Sequence, residues 1–254
     1  MSLFDFGIPN LPITSEQKEW IEESLLWLLN QFGKDYFLSR RTILPEPSFF
    51  PDKYKPTEES VEKVVYRVCD YMDVNPATIE IGFRGHPGGD GSIRTRRHVG
   101  LYFHPTDTNP RPGIAVHESI LRNPVKLVAT IAHELGHVIL LGGGRISRDN
   151  KDHEYLTDLI TVFLGLGIFT ANAAFQYHQR KASRLGYLNE EMFAYALAGC
   201  AWMRNEPKPA WSKYLAMNVG AHFKTCHKYL FKGGQTTLPN LNPSHKPGMS
   251  AAPI

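Results

Sequence analysis

Five consecutive residues near the middle of the chain, His133-Glu134-Leu135-Gly136-His137, carry the side chains best suited to chemistry. On an α-helix, residues four apart lie nearly one above the other, so the two imidazoles point the same way and can share one ion at roughly 2.0–2.1 Å per nitrogen. Glu134, one step around the helix from His133, stands beside such an ion, where its carboxylate can take a proton from water. HExxH therefore points to a catalytic metal, zinc by its donors, with Glu134 as general base. The flanks favour a helix. Asn123 is placed to cap it, Pro124 to open it, Val125 to Ala132 are largely apolar, and Gly142-Gly143-Gly144 supply a stop. Two histidines and a glutamate among Ile131, Ala132, Leu135 and Val138 would be costly if buried unpaired, and a cation satisfies all three.

Catalytic zinc usually takes three protein ligands and leaves a position for water. The best third ligand is Glu154, in Asp152-His153-Glu154-Tyr155-Leu156-Thr157-Asp158, where an acidic turn leads into apolar residues at helical spacing; this predicts a second long helix from about Asn150. Asp158 lies one turn after Glu154, so one carboxylate can reach the metal while the other accepts the outward N–H of a ligand histidine and fixes its tautomer. Asp158 as the ligand is the alternative, and His153 a weaker rival.

HELGH followed by Glu-x-x-x-Asp resembles the gluzincin branch of the zincin metallopeptidases, over about Pro124 to Thr170. The resemblance implies His133, His137 and Glu154 as zinc ligands, Glu134 as base and Asp158 as the orienting acid. A metzincin is excluded, because Leu140 and Gly143 stand where that branch has its glycine and third histidine. This chain departs from the gluzincin pattern in its short link from His137 to Glu154, in His153 where an asparagine is usual, and in lacking a placeable downstream tyrosine and histidine. The stretch from Asp158 to Tyr187 and that from Gly186 to Trp202 also resemble a bacterial family with the same HExxH core. The activity so implied is hydrolysis of peptide bonds in a protein or peptide, with Zn2+ as cofactor; the alternative is an idle zincin fold that binds or regulates through a structural or sensing metal. Tyr155, Tyr177, His178 and His222 are the candidate donors to a developing oxyanion.

Composition fits a soluble enzyme: 254 residues, 42% hydrophobic and 21% charged, with a net charge of +3. That charge gives no case for nucleic acid as the main partner, and Arg94-Thr95-Arg96-Arg97-His98 and His178-Gln179-Arg180-Lys181 read as solvated surface. Three scattered cysteines, Cys69, Cys200 and Cys226, form no CxxC pair, and the start Met1 to Pro9 has no export signature, so a reducing cytoplasm is expected. No membrane span is expected either; the apolar run Leu159 to Phe175 contains Gly165, Gly167, Thr170 and Asn172 and reads as a buried core helix.

The elements that must position the site follow from punctuation and period. A helix capped by Thr14 or Ser15 runs to about Gln31 and stands somewhat apart, ahead of a connector from Arg40 to Pro56 that holds four prolines. Another, capped by Thr57, runs to about Met72 with Val61, Val64, Val65 and Val68 on one side. Strands are expected at Thr78–Phe83, His98–His104 and Gly113–His117, the last or its neighbour pairing with substrate along its edge, and a glycine-rich loop over 82–91 as a flap. Helices from Asn189 to about Arg204 and from Pro209 to Leu230 close the core; His222 and Cys226 on the latter read as packing. The expected fold is α+β, a zincin-like core with a small, mostly antiparallel sheet. Its divisions are 1–56 (helix and connector), 57–184 (core), 185–232 (helical hairpin) and 233–254 (disordered tail).

Overall fold

The computed structural model describes residues 7–84, 100–103, 105, 111–178 and 188–242, with the backbone alone for 175–178. Four helices start where capping side chains stand. Thr14 accepts from the Gln17 amide and Gln17 reciprocates, opening α1 (Ser15–Phe32), which is followed by the short α2 (Lys34–Ser39). Thr57 caps α3 (Glu58–Met72), and Asn123, accepting from the Lys126 amide at 3.0 Å, caps α4 (Pro124–His137) with Pro124 in the first turn. Asn189 caps α7 (Glu190–Met203) in the same way.

Three strands, β1 (Glu80–Arg84), β2 (Gly100–Phe103) and β3 (Gly113–His117), form a sheet in the order β1-β3-β2. The sheet is mixed rather than mostly antiparallel. β3 inserts between the other two, running parallel to β1 (Ile81 opposite Ile114) and antiparallel to β2 (Leu101 opposite Ala115). Its buried Gly113-Ile114-Ala115-Val116 run suits a central strand. β1 begins later than expected because Asn75 caps a 3-10 turn over Pro76–Thr78.

α4 is the axis of the core: every residue from Leu127 to His137 is buried, against β2, β3, α3, α5 (His153–Phe163) and α6 (Gly167–His178). With its π-helical continuation it spans Pro124–Gly142, long and apolar enough to cross a membrane, yet 67% of its most apolar window is buried inside the protein. The apolar run from 159 to 175 is not one helix. Gly165 breaks it at φ 94°, where a Cβ would lie 2.2 Å from the Arg41 carbonyl oxygen, and its own carbonyl accepts the Ile43 amide at 2.8 Å. The connector passes against this break.

α1 does not stand apart. Ile21, Leu25 and Leu28 are fully buried, and it packs on α5 and α7. α7 packs on α8 (Met217–Phe231), which starts later than read because Ala210–Tyr214 forms a 3-10 turn. Residues 233–242, read from composition as disordered, pack instead: Leu238 is buried, its carbonyl accepts from Trp202 Nε1 at 3.0 Å, and the Leu241 amide reaches the Met203 carbonyl. Thr236 and Thr237 also donate to the buried Glu22 carboxylate, a partner no local composition reveals. The rest of that tail, both basic clusters apart from the backbone of residue 178, and most of the glycine-rich loop lie outside the described residues.

Candidate metal centre

α4 stacks His133 and His137 as the spacing predicts, with ring centroids 4.9 Å apart and planes at 89°. The third member comes from α5, which crosses α4 at Gly136. A Cβ on Gly136 would lie 2.9 Å from Thr157 Cγ2 and 3.1 Å from the Thr157 carbonyl oxygen, so the glycine of HELGH permits this approach. It brings Glu154 Oε2 to 3.3 Å from His133 Nε2 and 3.4 Å from His137 Nε2. The ligand atoms of His133, His137 and Glu154 all lie within 4.8 Å of one another.

The outward nitrogens are held by α5 as well. His133 Nδ1 faces Asp158 Oδ1 at 2.9 Å, and Asp158 Oδ2 accepts the Leu188 amide at 3.0 Å. His137 Nδ1 lies 3.2 Å from Thr157 Oγ1. Both rings are thus anchored at Nδ1 and converge through Nε2.

The electrostatics of the cluster are compatible with a bound cation. Burial opposes protonation of His133, but the carboxylates of Asp158 and Glu154 on its two nitrogens outweigh it and hold the imidazole well above its ordinary value. Burial dominates at His137 and lowers it. Glu154 is lowered despite its burial, because both imidazoles face its carboxylate. The donor set, two nitrogens and one oxygen with both rings fixed from behind, fits a divalent cation.

Glu134 sits beside this cluster under β2. Burial is the main influence on its carboxyl and, with Glu154 nearby, pushes it up to about 7, against the opposing pull of His133 and of the Tyr102 backbone amide that donates to it. β2 runs so close that a methyl on Gly100 would fall 2.4 Å from Glu134 Oε1 and 2.5 Å from Thr130 Cγ2. The Tyr102 ring stacks on His137, with centroids 5.7 Å apart. A carboxyl beside such a cluster stands where it can exchange a proton with a group held there.

The structure brings together His133, Glu134, His137, Glu154 and Asp158. It does not bring His222, whose Nε2 lies 3.5 Å from Glu191 on α7. Tyr155 packs edge-on against Trp20 of α1. The side chains of Tyr177 and His178 lie outside the described residues. β3 is paired on both sides and offers no edge; among the described residues β2 pairs only with β3. Sequence reading missed Thr157, Gly100 and Tyr102. Thr157 had a signal, being three residues after Glu154 and so on the same helical face, whereas Gly100 and Tyr102 had none. Among known proteins, no family model, no curated protein and no solved structure matches the chain.

Proposed function

We propose that the chain is a zinc-dependent peptidase with a zincin-like core, hydrolysing peptide bonds with Glu134 as general base. The observation that carries this reading is the convergence of His133 Nε2, His137 Nε2 and Glu154 Oε2 on one point, with the Glu134 side chain next to it on the same helix. A zinc ion held there would supply Lewis acidity, polarising a carbonyl and acidifying a water toward about 7. The chain's own residues do the rest. Asp158 orients His133 through Nδ1. Glu134 takes the proton of the attacking water and passes it to the departing amine nitrogen. The nearly complete burial of His133, Glu134 and His137 strengthens each of these interactions by lowering the local dielectric.

A peptide substrate is favoured by β2, whose backbone passes directly over Glu134. An extended chain pairing with this strand would bring its carbonyls past the cluster at strand spacing.

The test combines metal content with cleavage of a mixed-sequence peptide library read by mass spectrometry. Wild type should hold about one zinc per chain, and His137→Ala and Glu154→Ala should lose it. Glu134→Gln should keep zinc and lose about 10²–10⁴-fold in cleavage rate. Undiminished cleavage by that variant would remove Glu134 from the mechanism. Zinc bound by a wild type that cuts no peptide would move a metal-sensing or binding role ahead of catalysis.

A further inference from the structure

The two imidazoles of the cluster are anchored by unlike partners, a carboxylate behind His133 and a hydroxyl behind His137. A threonine hydroxyl carries one proton. That of Thr157 has a nearer destination than His137: the carbonyl oxygen of His153, one turn back on α5, at 2.7 Å against 3.2 Å to Nδ1. With its proton committed to that carbonyl, Oγ1 turns only lone pairs toward the ring, and Nδ1–H of His137 must donate to it. Thr157 is fully buried and His137 is 6% exposed, so bulk water has little access to replace this acceptor. Among the described residues, the Thr157 hydroxyl lies within hydrogen-bond distance of His137 Nδ1.

We propose that Thr157 is the positioning residue for His137, fixing the Nδ1–H tautomer and so aiming the Nε2 lone pair into the cluster. This rests on the metal reading above and deepens it. The two anchors differ in kind. Asp158 brings negative charge to its imidazole, whereas Thr157 brings direction and no charge, so His137 is held by geometry alone and the net charge behind the ligands stays at that of one carboxylate. Glu154, Thr157 and Asp158 occupy positions i, i+3 and i+4 of α5, so one helical turn supplies the third ligand and the anchors of the other two. The methyl of Thr157 does a separate job, meeting α4 at Gly136.

Thr157→Val keeps the shape and the methyl contact and removes the hydroxyl; Thr157→Ser keeps the hydroxyl. Zinc affinity measured by competition with a chromophoric chelator should fall about 10–100-fold in the valine variant and stay within about threefold of wild type in the serine variant. In zinc-loaded protein, a hydrogen-bonded Nδ1–H resonance of His137 should be seen by ¹H–¹⁵N NMR in wild type and Thr157→Ser and be shifted or lost in Thr157→Val. Valine binding zinc as tightly as wild type overturns the proposal alone. Equal losses in both variants also overturn it, assigning the effect to packing rather than to the hydroxyl. A wild type that takes up no zinc overturns the metal reading, and this proposal with it.

Discussion

Two glutamates that solvent scarcely reaches meet opposite fates in this protein. Glu22 is 2% exposed and Glu134 is 5% exposed. Burial pushes both carboxyls up. At Glu22 the push is overcome. Oε1 accepts from the Tyr195 hydroxyl at 2.5 Å and the Thr236 hydroxyl at 2.6 Å, with Lys18 at 3.0 Å, while Oε2 accepts the Thr237 amide at 3.0 Å and its hydroxyl at 2.8 Å. The carboxyl ends below its ordinary value, and the phenol of Tyr195 is driven far up by its own burial and by the carboxylate it serves. At Glu134 burial is the larger influence and wins, aided by the Glu154 carboxylate, and the opposing pull of His133 and the Tyr102 amide does not suffice. Depth, donors and neighbouring charges together decide whether a buried carboxyl ends below or above its ordinary value. Glu22 joins α1, α7 and the Thr236-Thr237 pair; Glu134, with fewer donors, keeps a raised carboxyl.

That contrast can be broken at either end. The largest effect belongs to Glu134→Gln, which should lose about 10²–10⁴-fold in peptide hydrolysis while the metal-free protein becomes no less stable. The sign is fixed by the raised carboxyl. Between its ordinary 4.5 and about 7 the folded chain holds a proton that the unfolded chain releases, so Glu134 makes metal-free stability fall as pH rises through that window. Urea midpoints over that range should show this fall in wild type and lack it in the variant. Gly100→Ala should come next. The added methyl meets Glu134 Oε1 and must displace it, so hydrolysis should drop about 10²-fold with zinc still bound. A normal rate in that variant would show that the carboxylate tolerates displacement.

At the other centre, Glu22→Ala strands four hydrogen-bond donor groups and an ammonium and should cost about 2–4 kcal/mol of unfolding free energy, with the zinc affinity of the folded protein unchanged. Loss of zinc binding in the folded variant would instead tie the two centres together. The smallest effect is on the acid limb. Because Glu22 is lowered, its stabilisation is present above about 4.5 and is lost as pH falls through its folded value. Glu22→Gln should flatten that limb in urea titrations below this pH, the reverse of what Glu134→Gln does between 4.5 and about 7.

Much of the helical part was legible. Thr14, Thr57, Asn123 and Asn189 announced four helix starts within a residue, since a cap is a local hydrogen bond whose donor and acceptor lie within three positions. The sheet was legible as strands and illegible as topology, because nothing in Gly113–His117 says which neighbours it will have. The break at Gly165 was hidden inside an apolar run: glycine there could have meant close helix packing, and only the Arg41 carbonyl against it shows why the helix stops. The packed stretch 233–242 was hidden because its partner, Glu22, lies more than two hundred residues away in the chain. For the candidate centre, the three residues of HExxH and the Glu-x-x-x-Asp pair could be named from spacing, and the structure sets all five side by side.

The sequence by itself determined which groups can share a helical face: His133 with His137, and Glu154 with Thr157 and Asp158, because 3.6 residues per turn is a property of the backbone and not of the fold. It could not determine that those two faces meet. Tertiary packing decided that, through the missing side chain at Gly136 that lets α5 approach α4, and through the missing side chain at Gly100 that lets β2 lie over Glu134. Whether a buried carboxylate keeps its proton was decided there too, since solvent exclusion and donors from distant segments act through space and leave no mark on the residues beside it in the chain.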